Sequence, residues 1–160
     1  MRSGLVCMAA LCCAWSATAQ EAPRDLLTFA QGALPVEVDM GGANLRTGAT
    51  EALYLIDGNP LKRVMTPRFG TASDRLEITY QLPALTTFNG FAVPNVFETR
   101  SPSQTFFRSV EVFGALERDG PFTLLASGAL TEHEEEGMQT ALTLVSQQPV
   151  RFVRVALQDG

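Results

Sequence analysis

Alternation of apolar and polar residues with a period of two recurs along this chain and limits what it can fold into. The clearest case is the segment 76–82, Leu-Glu-Ile-Thr-Tyr-Gln-Leu, in which every second residue is apolar. A segment of this kind forms a β-strand with one buried face. The same pattern predicts strands at 36–40, 110–113, 138–144 and 151–157, and shorter apolar runs predict two more at 88–93 and 122–126.

Turn-forming residues separate these segments. Glycine supplies a positive φ and proline a fixed φ, which is what a chain reversal requires. The predicted reversals are Asn89-Gly90, Asp119-Gly120-Pro121, Ser127-Gly128 and Gln147-Gln148-Pro149. One short helix is expected within 44–56. Short strands joined in this way predict an all-β fold class, an antiparallel β-sandwich or jelly roll.

The first nineteen residues are predicted to be a signal peptide. Arg2 provides the positive start, residues 5–15 form an apolar run, and Ala17-Thr18-Ala19 provides a small-residue cleavage site. The alternative, a retained membrane anchor, is disfavoured because the run is too short to span a bilayer. We therefore expect cleavage after Ala19 and a single β-sandwich domain over 20–160, in the bacterial periplasm, at the outer membrane or outside the cell.

Composition narrows the function further. All three cysteines, Cys7, Cys12 and Cys13, lie in the predicted signal peptide, so the mature domain has no disulfides. The formal net charge is −5, which argues against nucleic acid or an anionic membrane surface as a partner. His133, the single histidine, lies in the acidic run 132–137, which is typical of a solvated loop. Without a nucleophile motif or a metalloprotease motif, the chain is not expected to be an enzyme.

The order of the motifs resembles a known family. Asp57-Gly58-Asn59-Pro60 precedes the alternating strand, Asp119-Gly120-Pro121-Phe122 forms a hairpin turn, and Arg151-Phe152-Val153-Arg154 closes the sequence. Over about residues 34–157 the chain is similar to the discoidin-like, galactose-binding-like β-sandwiches, which include coagulation factor type C modules and bacterial carbohydrate-binding modules. One departure is that these relatives place a Trp after the Asp-Gly loop, where this chain has Phe69.

The resemblance implies a structural calcium ion (Ca²⁺) as a cofactor. In the family this ion lies between the Asp-Gly loop and the end of the last strand, where carboxylate and carbonyl oxygens surround it. The corresponding metal-site residues here are Asp57, Asn59 and Asp159. The alternative is that Asp57-Gly58-Asn59-Pro60 forms only a tight turn.

The resemblance also implies a ligand site in the loops at one end of the sandwich. The loops 62–73 and 95–106 contain aromatic, arginine and carboxylate side chains, which stack on a sugar ring and hydrogen-bond its hydroxyls. The candidate ligand-binding residues are Arg63, Arg68, Phe69, Phe97, Glu98 and Arg100. Alternatively, these are ordinary solvated loops whose phenylalanines enter the core.

Two functions follow as expectations. The first is a non-catalytic binding module for a cell-surface or envelope glycan. The second is a structural or protein-docking domain at the N-terminus of a larger protein, because the chain also looks similar to the leading domain of some OmpA-like outer-membrane-associated proteins. A further domain C-terminal to Gly160 would favour the second function, and its absence would favour the first.

Overall fold

The computed structural model describes residues 24–39, 49–59, 75–94, 107–130 and 138–158. A 3₁₀ turn at Phe29–Gln31 precedes the first strand. The other elements, in chain order, are β1 (Leu34–Asp39), α1 (Ala49–Tyr54), β2 (Arg75–Thr86), β3 (Ala92–Pro94), β4 (Ser109–Ala115), β5 (Thr123–Ala129), β6 (Gln139–Ala141), β7 (Thr143–Leu144) and β8 (Val150–Gln158).

The strands form two antiparallel sheets. The larger sheet has the order β1-β2-β8-β4-β5-β7, and β3 pairs with β6 in the smaller one. The last strand, β8, lies in the middle of the large sheet and pairs along its length with both β2 and β4. The expected all-β class and antiparallel sandwich are confirmed.

One face of the large sheet carries the hydrophobic core. Paired residues on neighbouring strands share a face, so Ile78 and Val155 lie side by side, as do Tyr80 and Val153. The core continues beyond the sheet through Ala52 and Ile56 of the α1 region and through Phe88 and Leu142. The buried Tyr80 hydroxyl donates a 3.0 Å hydrogen bond to the Ala52 carbonyl and so attaches α1 to the sheet.

The predicted strand at 138–144 is wrong as a single element. It consists of β6 and β7, which belong to different sheets. Between them Leu142 is buried, and its backbone N–H donates to the Phe91 carbonyl at 2.8 Å. The chain crosses from one sheet to the other at Leu142. The alternation of apolar and polar residues continues through this crossing and therefore covers two separate strands.

Two other local expectations also fail. Ser127-Gly128 is not a turn, because both residues lie within β5, where an added Cβ on Gly128 would lie 3.0 Å from Leu142 Cδ2. The segment 88–93 becomes a strand only at Ala92. Before it, the rings of Phe88 and Phe91 pack against each other with centroids 4.9 Å apart. Packing overrides the local pattern in both places, against the distant Leu142 at Gly128 and between two neighbouring rings at 88–91.

Other expectations hold or lie outside the described residues. The reversal at Asp119-Gly120-Pro121 is confirmed, with Gly120 at φ 88°. The predicted signal peptide, residues 1–19, is outside the described residues. Within the residues that are described, no helix is long and apolar enough to cross a membrane.

Gly114 provides a test of the core packing. A Cβ at this position would overlap Val150 Cγ1 and lie 2.7 Å from Leu125 Cδ1, whereas a Cβ at Gly90 would meet no atom outside its chain neighbours within 4 Å. Gly114→Ala should therefore lower the free energy of unfolding by about 1–3 kcal/mol through overpacking. Gly90→Ala is the matched control and should change it by less than about 0.5 kcal/mol. Equal urea midpoints for the two variants would contradict this packing.

Tyr80 provides a test at high pH. Burial raises the pKa of the Tyr80 phenol because the charged phenolate is poorly solvated in the core. The unfolded chain therefore loses this proton first, near pH 10, so the stability is complete below about pH 10 and falls above it. Between about pH 8 and 11, urea unfolding should show wild type losing about 1 kcal/mol more than Tyr80→Phe, which lacks the ionisable group. Parallel losses in both proteins would place Tyr80 in a solvated position.

Candidate functional site

The face of the large sheet opposite the core, here called the outer face, carries a set of charged side chains. The strand register arranges them in rows across the sheet. One row runs Glu37, Thr79, Arg154 and Phe113, and the next runs Asp39, Glu77, Ala156 and Glu111. Neighbours within such a row lie close enough for their side chains to interact.

Arg154 lies at the centre of the outer face and is held from several directions. Its Nε donates a hydrogen bond to Thr79 Oγ1 at 3.1 Å. Its Nη1 lies 3.2 Å from Glu77 Oε2, and its Nη2 lies 3.7 Å from Glu37 Oε2. The guanidinium also lies over the ring of Phe122, 4.0 Å from the centroid. These contacts fix the planar guanidinium in one orientation.

Arg75 extends the charged set towards β4. Its Nη1 donates to Glu111 Oε2 at 3.1 Å, and Gln158 Nε2 donates to the same oxygen at 3.3 Å. Its Nε lies 2.6 Å from Glu77 Oε1 in an ion pair, and this buried nitrogen has no hydrogen-bond partner among the described residues. The Glu77 carboxylate therefore bridges two arginines, one at each oxygen.

Small residues lie beneath the arginines. Ala156 is paired with Glu77 on one side and Glu111 on the other, the two carboxylates that Arg75 contacts. Ala156 is fully buried and Thr79 almost so, although both belong to the outer face. The aliphatic stems of long charged side chains cover such residues while their charged ends stay close to solvent.

An open pocket of about 120 Å³ lies on the outer face beside the edge strand β1. We call it the sheet-face pocket, and its lining consists of Glu37, Asp39, Glu77, Thr79 and Arg154. All five side chains are polar, and the carboxylate oxygens offer many acceptor positions beside the guanidinium donors. The arrangement suits a small ligand with several hydroxyl groups.

The structure describes two of the nine residues predicted from sequence to form sites. The six predicted ligand-binding residues in the loops lie outside the described residues, as does Asp159. Asn59 N–H donates to Asp57 Oδ1 at 2.8 Å, and Gly58 between them has φ 80°. This hydrogen bond is typical of an Asx turn, the alternative to a calcium loop. No group of three metal-ligating side chains occurs within the described ranges, and the calcium site stays a prediction.

The outer-face residues were not predicted to form a site. Alternation does place Glu77 and Thr79 on the polar face of β2, and Arg154 on the polar face of β8. What the sequence does not reveal is that β8 pairs with β2 in the register that sets Arg154 opposite Thr79. The usable signal is that β1 and β2 carry acidic residues at their polar positions while β8 carries an arginine at its own.

Comparison with known proteins adds information about the fold. No protein-family model matches the chain, and no curated protein matches it. Among solved structures, the chain is similar to a mutant of a GH29 fucosidase from Ruminococcus gnavus in complex with fucose, with a TM-score of 0.53 and 20% sequence identity. The match covers 85% of this chain and 24% of the fucosidase chain. The chain thus spans about a quarter of that protein, and the likeness concerns the fold.

Two glutamates that contact Arg154 should differ in their contribution to stability. Glu77 bridges two arginines and its side chain is 23% exposed, whereas Glu37 makes a longer contact and is 47% exposed. Glu77→Gln should lower the free energy of unfolding by about 1–2 kcal/mol because charge-assisted interactions with two half-buried arginines are lost. Glu37→Gln, the same change at the edge, should cost less than about 0.5 kcal/mol. Urea unfolding measures both, and equal costs would contradict the bridging role of Glu77.

Proposed function

We propose that this chain is an exported, non-catalytic module that binds a glycan of the bacterial cell envelope. The sheet-face pocket is the observation that carries this proposal. It offers carboxylate acceptors and a guanidinium fixed by Thr79, Glu77 and Phe122. Side chains held in place before binding lose little conformational entropy when a hydroxylated ligand arrives. A β-sandwich fold shared with part of a fucosidase agrees with the proposal, although fold alone does not specify function.

The sugar has two candidate positions in this proposal. The first is the sheet-face pocket, where hydrogen bonds would dominate because the face of Phe122 is already occupied by Arg154. The second is the loop end that the galactose-binding-like resemblance implies, with Phe69 and Arg100 among its residues. The two positions differ in chemistry, because the loops contain aromatic rings that can stack on a sugar and the pocket lining contains none.

Export, location and calcium belong to the same proposal. The predicted signal peptide supports a mature protein in the periplasm, at the outer membrane or outside the cell. The absence of a nucleophile motif in the sequence supports a role without catalysis. A structural calcium ion bound through Asp57, Asn59 and Asp159 is proposed on the family resemblance.

The alternative proposal is a docking domain of a larger OmpA-like envelope protein. It is supported by the resemblance to the leading domain of some OmpA-like proteins, and the match to about a quarter of a fucosidase chain agrees with a domain of a longer protein. In this alternative the outer face would contact a protein or the cell wall, and no free sugar would bind. The two proposals therefore differ in a measurable property.

We expect the mature chain, residues 20–160, to bind sugars. The assays are a glycan array, in which it should bind one class of sugar, and a pull-down that measures its retention by peptidoglycan. If the sheet-face pocket holds the sugar, Glu37→Gln combined with Asp39→Asn should weaken binding about tenfold or more, because hydrogen bonds to charged acceptors are lost. Ser127→Ala, on the same face but outside the pocket lining, is the matched control and should bind like wild type. Each assay is repeated with calcium and with EDTA.

The outcomes separate the proposals. Loss of binding in Phe69→Ala and Arg100→Ala, with the pocket variant unaffected, would move the site to the loops. Binding to no sugar in either assay would overturn the glycan proposal and favour the docking domain. A melting temperature that EDTA leaves unchanged would contradict the structural calcium ion.

A further inference from the structure

We propose that Asn89 is a site of spontaneous covalent modification, at which the side-chain amide is lost through attack by the backbone nitrogen of Gly90. This inference is independent of the glycan proposal. Asn89 and Gly90 connect β2 to β3 and are both exposed. The product is an aspartyl or isoaspartyl residue on the surface of the folded protein.

The attacking nitrogen and the amide are both unrestrained. Within the described part of the chain, neither the Gly90 N–H nor the Asn89 side chain makes a hydrogen bond. No heavy atom outside residues 89–91 lies within 4 Å of the position that a Cβ on Gly90 would take. Because glycine also has the widest backbone freedom, this turn can reach the geometry in which the two atoms meet.

The reaction needs only water. The Gly90 nitrogen forms a bond to Asn89 Cγ and loses its proton, while the bond from Cγ to the amide nitrogen breaks and ammonia leaves. This produces a five-membered cyclic imide. Water then adds to one of the two imide carbonyls and breaks its bond to the ring nitrogen. Opening at Cγ gives aspartate, and opening at the backbone carbonyl gives isoaspartate, whose main chain contains one additional carbon.

Asn59 provides an internal contrast. It is exposed, as Asn89 is, but Pro60 follows it, and a proline nitrogen carries no hydrogen to lose. The same imide therefore cannot form at Asn59, and the proposal applies to Asn89 among the asparagines in the described ranges.

Modification at Asn89 would affect the packing around the turn. Phe88 and Phe91 flank it, with their rings in contact and Phe88 in the core. The Phe88 carbonyl accepts a hydrogen bond from Gln147 Nε2, and the Phe91 carbonyl accepts one from the backbone of Leu142. An additional main-chain carbon between these two anchors would change their spacing, so the isoaspartyl form should melt at a lower temperature than the fresh protein.

The test is to incubate the purified folded protein in mildly alkaline buffer for several days and to map the products by peptide mass spectrometry. We expect the peptide that contains Asn89 to gain the mass that corresponds to replacing an amide by a carboxyl group, with isoaspartate as a product. Gly90→Ala has room for its methyl group and should react about tenfold more slowly, because a Cβ hinders the approach of the nitrogen.

A parallel sample unfolded in urea provides the control for the role of the fold. Accumulation in the folded wild type together with slow reaction of Gly90→Ala supports the proposal. If the Asn89 peptide reacts only in urea, the fold protects the turn and the proposal is wrong. It is equally wrong if the peptide stays unmodified in both samples, or if Gly90→Ala reacts as fast as wild type.

Discussion

The pairing of β8 with both β2 and β4 is the interaction on which the rest of the structure depends. β8 is the last strand in the chain but lies in the middle of the large sheet, so its backbone groups are satisfied only when two distant segments flank it. Its register places Val153 in the core, Val155 against the core and Arg154 on the outer face. A shift by one residue would exchange the two faces and bury the arginine.

The outer face depends on the same register in a second way. Arg75 can contact both Glu77 and Glu111 because Ala156 lies between them and has only a methyl group. A larger side chain at this position would occupy the space that the arginine crosses. The row of Glu77 on β2, Ala156 on β8 and Glu111 on β4 therefore depends on packing as well as on charge, because the small residue must lie between the two carboxylates.

The sequence predicted correctly the strands that belong to one sheet and bury one face in the core. In the segment 76–82 the apolar positions of the alternation are all buried, and only Thr79 among the polar positions is buried with them. It misassigned 138–144, where the chain changes sheets at Leu142, because a local pattern contains no information about which sheet a residue joins. The sheet-face pocket was missed for a related reason. Its residues come from β1, β2 and β8, and only the long-range pairing brings Glu37, Thr79 and Arg154 together.

The position of the charged set on strands, and not on loops, bears on what it can recognise. Strand backbones in the middle of a sheet are held on both sides, and Arg154 is further held by an aromatic ring, a hydroxyl and carboxylates. A site built on such a rigid base keeps its geometry without a ligand, so it selects partners by the match of donors and acceptors. A loop site would gain adaptability but would lose entropy on ordering. If the ligand is the sugar proposed above, a fixed arrangement of acceptors on a sheet would discriminate between stereoisomers, because each hydroxyl must point in a definite direction to form its hydrogen bond.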